Sequence, residues 1–187
     1  MEIFQGYHTS YEAPGAPKAI TDTTWSVHGP FKPDGFVSNA LAKGYRLGFQ
    51  ASSDHVSTHV SYACVLAEEF SRKGLLAAMK QRHTYAATDN IVLDVRIGPA
   101  IMGDEVHTAQ PRFDVVVLGT GPVARVEVLR NGEIVHTERP PGDAADVRFR
   151  WEDPAPRKGE KASYYYVRVE QQDGAMAWAS PIWVTVK

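Results

Sequence analysis

The chain has 187 residues, 43% of them hydrophobic and 22% charged, with a formal net charge of -2. That balance is ordinary for a globular protein of one or two domains and leaves no electrostatic footprint for nucleic acid. There is no apolar run long enough to span a membrane, and the single cysteine excludes an internal disulfide framework and fits a reducing cytoplasm.

The first ten residues, MEIFQGYHTS, lack the basic start and long apolar stretch of a secretory signal. They predict instead a strand over 2–5. A chain that opens at once on a strand predicts further structure upstream. The Pro- and Gly-rich stretch 13–35 reads as an ordered loop. DGFVSNALAKG then reads as a short helix. Asp34 would cap it, Phe36, Val37, Ala40 and Leu41 would form its apolar face, and Gly44 would end it. A strand is expected over 45–52 (YRLGFQAS) and another over 61–68 (SYACVLAE). Cys64, inside that second apolar run, reads as a small core residue. SRKGLLAAMKQRH predicts a second helix with Ser71 as cap and an apolar side of Leu75, Leu76 and Met79. Lys80 and Arg82 fall near its C-terminus, where the helix dipole favours cations.

From about Ile91 the helical signal disappears. IVLDVRIG alternates, RFDVVVLG follows, and ARVEVLRNGEIVHTE is a hairpin pattern with Asn131-Gly132 suited to a type I′ turn. VRFRWE, SYYYVRVEQQDGAMAWAS and PIWVTVK add strands, with a tight turn at Asp173-Gly174. About seven short strands in this stretch predict an immunoglobulin-like antiparallel β-sandwich. The expected division is therefore an α/β part over 1–88 and a sandwich over 89–187. The aromatic positions Tyr164, Tyr165, Tyr166, Trp178 and Trp183 alternate and read as packing on two faces. His28, His107 and His136 read as surface residues.

The chemistry concentrates in SSDHVSTH, just past the strand 45–52. Asp54 and His55 are adjacent, His59 follows four residues later, and His8 follows the first strand. Carboxylate and imidazole suit divalent Zn, Mn or Fe. Two adjacent residues reach one centre only on a turning loop, since along a strand they point to opposite faces. A solvated polar loop is the competing reading. Arg82 and His83 at the end of the second helix serve either the helix dipole or an anionic substrate. P-loop, GxSxG, GxGxxG and HExxH patterns are absent.

Four segments together resemble the PHP (polymerase and histidinol phosphatase) superfamily of metal-dependent phosphoesterases. They are the strand ending in SSDH, the tail AEEFSRKGLLAAMKQRHTYAATDN, the segment EIFQGYHTSYE and the hairpin VEVLRNG. The resemblance implies that residues 1–88 are the C-terminal portion of a distorted (β/α) barrel with metals at the carboxyl-end rim. It assigns Asp54 and His55 to the family's late Asp-x-His pair, although here the two are adjacent. The family's early His-x-His pair has no counterpart among the seven histidines. The implied activity is metal-assisted hydrolysis of a phosphorylated small molecule at a divalent-metal site that this chain supplies only in part. Arg82 and His83 would meet substrate phosphate. The missing N-terminal barrel portion, or a second copy of the chain, would complete the assembly and cover an apolar patch on the α/β part. A non-catalytic sandwich module is the alternative.

Overall fold

A computed structural model describes residues 1–6, 9–23, 31–55, 58–159 and 161–187. Their first half forms β1 (Glu2–Gln5), β2 (Thr9–Ser10), α1 (Val37–Ala42), β3 (Gln50–Ser52), β4 (Tyr62–Val65), α2 (Arg72–Lys80) and β5 (Thr84–Ala87). The second half forms β6 (Val92–Ile97), β7 (Ala100–Ile101), β8 (Glu105–Thr108), β9 (Arg112–Leu118), β10 (Val123–Arg130), β11 (Glu133–Glu138), β12 (Asp146–Glu152), β13 (Ser163–Gln171), β14 (Met176–Ala179) and β15 (Ile182–Val186).

The largest sheet has the order β11-β10-β13-β14-β5-β4, with β15 also beside β13 and β8 beside β15. A second sheet, β12-β9-β6-β7, faces it. Together they form a β-sandwich. In β6 and β9 every second residue is buried, as the two-residue period of a strand requires. Leu93, Val95, Phe113, Val115 and Val117 thereby meet Val126, Val128, Tyr165, Val167 and Val169 in one core.

The outer face of the largest sheet is covered as well. A small sheet, β2-β1-β3, and α1 pack there. Phe4, Val37, Leu41 and Phe49 meet Tyr164, Tyr166, Trp178 and Trp183 in a second core. Phe4 stacks on Trp178 with ring centroids 5.7 Å apart, and Phe49 meets Tyr166 edge-on at 5.5 Å. Strand β13 lies between the two cores, so nearly all of its residues are buried. Its odd-numbered side chains, such as Tyr165 and Val167, enter the sandwich, and Tyr164 and Tyr166 enter the second core.

The expected C-terminal portion of a (β/α) barrel is corrected by this arrangement. Strands dominate, and the described residues hold two α-helices. One parallel unit with barrel-like grammar does form, where β1 and β3 pair in parallel with α1 between them. It does not continue. β4 and β5 pair antiparallel, and β5 then pairs antiparallel with β14. Their backbone bonds are satisfied within the largest sheet, not in a parallel barrel wall. Residues 84–87 thus share a sheet with the strands after residue 89.

Local expectations fare unevenly. The strand expected over 45–52 is limited to Gln50–Ser52. Asp34 sits in a short 3-10 turn, Pro33–Gly35, and the N-cap of α1 is Phe36 with no side-chain cap. Gly44, at φ 89°, ends α1 as expected, its N–H donating to the Leu41 carbonyl at 2.9 Å. Ser71 caps α2 by accepting from the Gly74 N–H at 3.0 Å. The apolar side of α2 is not core: Leu76 and Met79 are exposed, and only Ala78 is buried. Asn131 and Gly132 take φ 52° and 86°, the left-handed pair of a type I′ turn. Among the described residues no helix is long and apolar enough to cross a membrane.

Candidate functional site

Past β3 the chain turns back toward β4, and this turn carries Asp54 and His55. Ser53 closes its base. The Ser53 hydroxyl accepts from the N–H groups of Val60 at 3.1 Å and Ser61 at 2.9 Å, and donates to the Ser61 carbonyl at 2.8 Å. Asp54 adopts φ 55°, a left-handed conformation that Asp tolerates better than most residues. The turn also lies against the end of β1, where Gly6 has no room for a side chain because a Cβ would press into the Ser53 carbonyl.

Within this frame Asp54 and His55 act on each other. His55 Nδ1 lies 2.6 Å from Asp54 Oδ1, and Asp54 Oδ2 accepts from Gln5 Nε2 at 2.8 Å. A carboxylate at that distance accepts from an N–H on Nδ1 and so orients the ring. The His55 side chain is 84% exposed. Gln5, the last residue of β1, is the member that sequence reasoning missed. Its only signal was the parallel pairing that sets Gln5 beside Ser52.

Histidines that ligate metals often donate their second ring N–H to a carboxylate, and a His–carboxylate contact of this kind is also common without any metal. Two nearly buried hydroxyls in the flanking segments, Thr9 Oγ1 and Ser61 Oγ, have no hydrogen-bond partner among the described residues. Yet among the described residues no three His, Cys, Asp or Glu converge. His59 is described but joins no such group. His8 lies outside the described residues, as does His28.

Arg82 and His83 face elsewhere, onto the turn between β7 and β8. Arg82 donates from Nε to the Gly103 carbonyl at 3.0 Å, and its guanidinium lies 5.2 Å from the Trp183 ring centroid. His83 Nε2 is 2.8 Å from Asp104 Oδ1, while Asp104 Oδ2 accepts from the Ile101 N–H at 2.9 Å. These contacts occupy both side chains in holding β5 to that turn. Cys64 is half-buried against the sandwich core, and burial pushes its thiol up in pKa, which suits packing and not nucleophilic attack. His107 is exposed, whereas His136 is half-buried and stacked on Trp151 at 5.4 Å.

No family model matches the chain. It is 32% identical to an uncharacterised protein of Chlamydia trachomatis, over 98% of this chain and 34% of that protein. An uncharacterised protein of Chlamydia muridarum is 31% identical over the same shares. One of Chlamydia pneumoniae is 32% identical over 88% of this chain and 32% of that protein. The chain thus spans about a third of the length of the curated relatives it matches. Among solved structures, the fibronectin(III)-like modules of Clostridium thermocellum CbhA match 50% of this chain and 97% of that one, at 16% identity and a TM-score of 0.33.

Proposed function

We propose that the chain is part of a longer metal-dependent phosphoesterase-like hydrolase and contributes His55, held by Asp54, to a divalent-metal site completed by residues outside the described ones. The carrying observation is the His55–Asp54–Gln5 relay at the carboxyl ends of the parallel strands β1 and β3. A divalent metal of the Zn, Mn or Fe type would activate a water and polarise a phosphoryl oxygen. The chain's own residues do the positioning. Asp54 accepts from His55 Nδ1 and orients the ring, Gln5 fixes the Asp54 carboxylate, and Gly6 admits the turn that carries both. A phosphorylated small molecule is the substrate class that the sequence resemblance implies. The single cysteine supports a cytoplasmic setting.

The test is metal content and phosphate-ester hydrolysis of the longer protein, with and without His55→Ala. Loss of bound metal together with activity is expected, and Asp54→Asn should weaken metal retention by about tenfold or more. Full metal occupancy in His55→Ala would end this reading.

A second reading, a non-catalytic interaction module, is favoured by α2. Phe70 is 98% exposed, and Leu76 and Met79 are about half exposed beside it. Since the relatives are about three times as long, the occupant we assign to this face is the remainder of the longer protein. Cross-linking from α2 in the longer protein tests it. Links confined to a second copy of the chain would replace that occupant with a homo-oligomer.

A further inference from the structure

We propose that α2 is a half-packed helix in this chain and is clamped in the longer protein by an apolar helix of the remainder. The inference rests on the second reading above, that the remainder covers this face. It adds what the occupant is and what the contact does to α2.

α2 packs little against the described body. Of its residues Arg72–Lys80 only Ala78 is buried. A helix this short is marginal in water by itself. Gly74, in its first turn, weakens it further. An alanine there has no room, because a Cβ would press into the Glu69 carbonyl. The ends are held by local bonds. Ser71 caps the start, and the N–H groups of Arg82 and His83 donate to the Met79 and Ala78 carbonyls at 3.1 and 3.0 Å. These bonds fix the ends but bury no apolar surface. Segments with few buried apolar contacts open locally at a fraction of the global stability.

The large apolar side chains of this segment lie in solvent instead. Phe70, just ahead of the cap, is 98% exposed, and Leu76 and Met79 are 49% and 56% exposed. Leu75 and Met79 stand one turn apart with Leu76 beside them. Together with Phe70, Ser71 and Arg72 they line a concavity of about 500 Å³. The backbone groups of a helix are engaged within it and its caps, so an incoming strand finds no edge to pair with. The concavity can take side chains, and the ridge of Leu75 and Met79 is the kind of surface on which a second helix packs.

Size decides between the possible occupants. A stable contact between separate chains takes roughly 20–30 residues a side. This face is built from Phe70, Leu75, Leu76 and Met79 with two polar neighbours, which is too small to hold a second copy by itself. A segment of the same polypeptide needs far less contact, since tethering supplies an effective concentration of roughly millimolar. The relatives have the chain for it, because this sequence spans 34% of their length. Covering Phe70, Leu76 and Met79 then gives α2 the apolar burial that the body does not.

The test compares hydrogen exchange of the α2 amides in the 187-residue chain and in the longer protein. Photo-crosslinking from an aryl-ketone side chain placed at Phe70 or at Met79 of the longer protein accompanies it. Exchange at least about tenfold slower in the longer protein is expected, with links from both positions to one apolar segment of the remainder. The variant Phe70→Ala/Leu76→Ala/Met79→Ala removes the face without weakening the helix, since alanine is the best helix former. It should return α2 of the longer protein to the exchange rate of the 187-residue chain, and make exchange no faster in that chain. Equal α2 exchange in the two proteins, with links still reaching the remainder, would leave the covering in place and overturn the clamp. Links that reach only a second copy, or none at all, would end the second reading and the clamp together.

Discussion

The Glu12 carboxylate lies 2.7 Å from Arg168 Nη1, across 156 residues of chain. Glu12 also accepts from the Tyr166 hydroxyl at 2.7 Å and the Trp178 indole N–H at 2.8 Å, and it is 2% exposed. Arg168 needs such a partner because strand alternation sends it into the covered outer face of β13, where it also meets Glu127. One carboxylate thereby locks the N-terminal layer onto the largest sheet.

Glu12→Ala leaves Arg168, Tyr166 and Trp178 with unmet donors in a buried place. We expect a loss of about 3–5 kcal/mol, the range for removing one member of a buried ion pair. Urea denaturation measures it. A loss below about 1 kcal/mol would show that the layers are held mainly by apolar contact.

Alkaline stability follows from the tyrosines. Burial first, and then the Glu12 carboxylate, push the Tyr166 phenol well above its ordinary value. Burial also raises Tyr165, with Asp153 next, and Tyr85, with Cys64 next. Unfolded tyrosines ionise near pH 10, so above that pH the unfolded state binds fewer protons than the folded state and stability falls as pH rises. Stability from these groups is intact below about pH 10 and lost through the more alkaline folded values. Tyrosinate absorbance from these three should appear together with loss of tertiary structure. Their ionisation in a fully folded protein would contradict the burial described.

The exposed side of α2 should be nearly free of folding consequences. Replacing Phe70, Leu76 and Met79 together by Ser is expected to change stability by no more than about 0.5 kcal/mol per site. It should also remove most hydrophobic-dye binding. Unchanged dye fluorescence would place the apolar surface elsewhere.

Gly6→Ala tests the frame of the Asp54 turn. A Cβ there would meet the backbone of Ser53, which cannot yield as a flexible side chain would. We expect a loss of about 1–3 kcal/mol and NMR shift changes concentrated at residues 53–55. A silent substitution would mean that the turn is free to move away from β1.

How much was legible in the sequence depended on the range of the interaction. The Asn131-Gly132 turn, the Ser71 cap and the Gly44 stop rest on local backbone chemistry, and each formed where the residues indicated. The alternation of β6 and β9 likewise announced a half-buried sheet. The pairing of Asp54 with His55 was visible as adjacency, but its anchor, Gln5, lies 49 residues away and depends on the β1–β3 register.

What the sequence determined by itself was the strand-rich second half, its turns and the polar loop after residue 52. Only the tertiary structure decided where β4 and β5 go. Thr84–Ala87 carries small and β-compatible residues that suit a barrel wall or a sandwich sheet equally, and the backbone bonds offered by β14 select the sandwich. Tyr164 and Trp183 read as core aromatics, and their cross-strand pairing places both in the second core, 8% and 5% exposed. Local pattern specifies which side chains share a face. Long-range strand pairing specifies what that face meets.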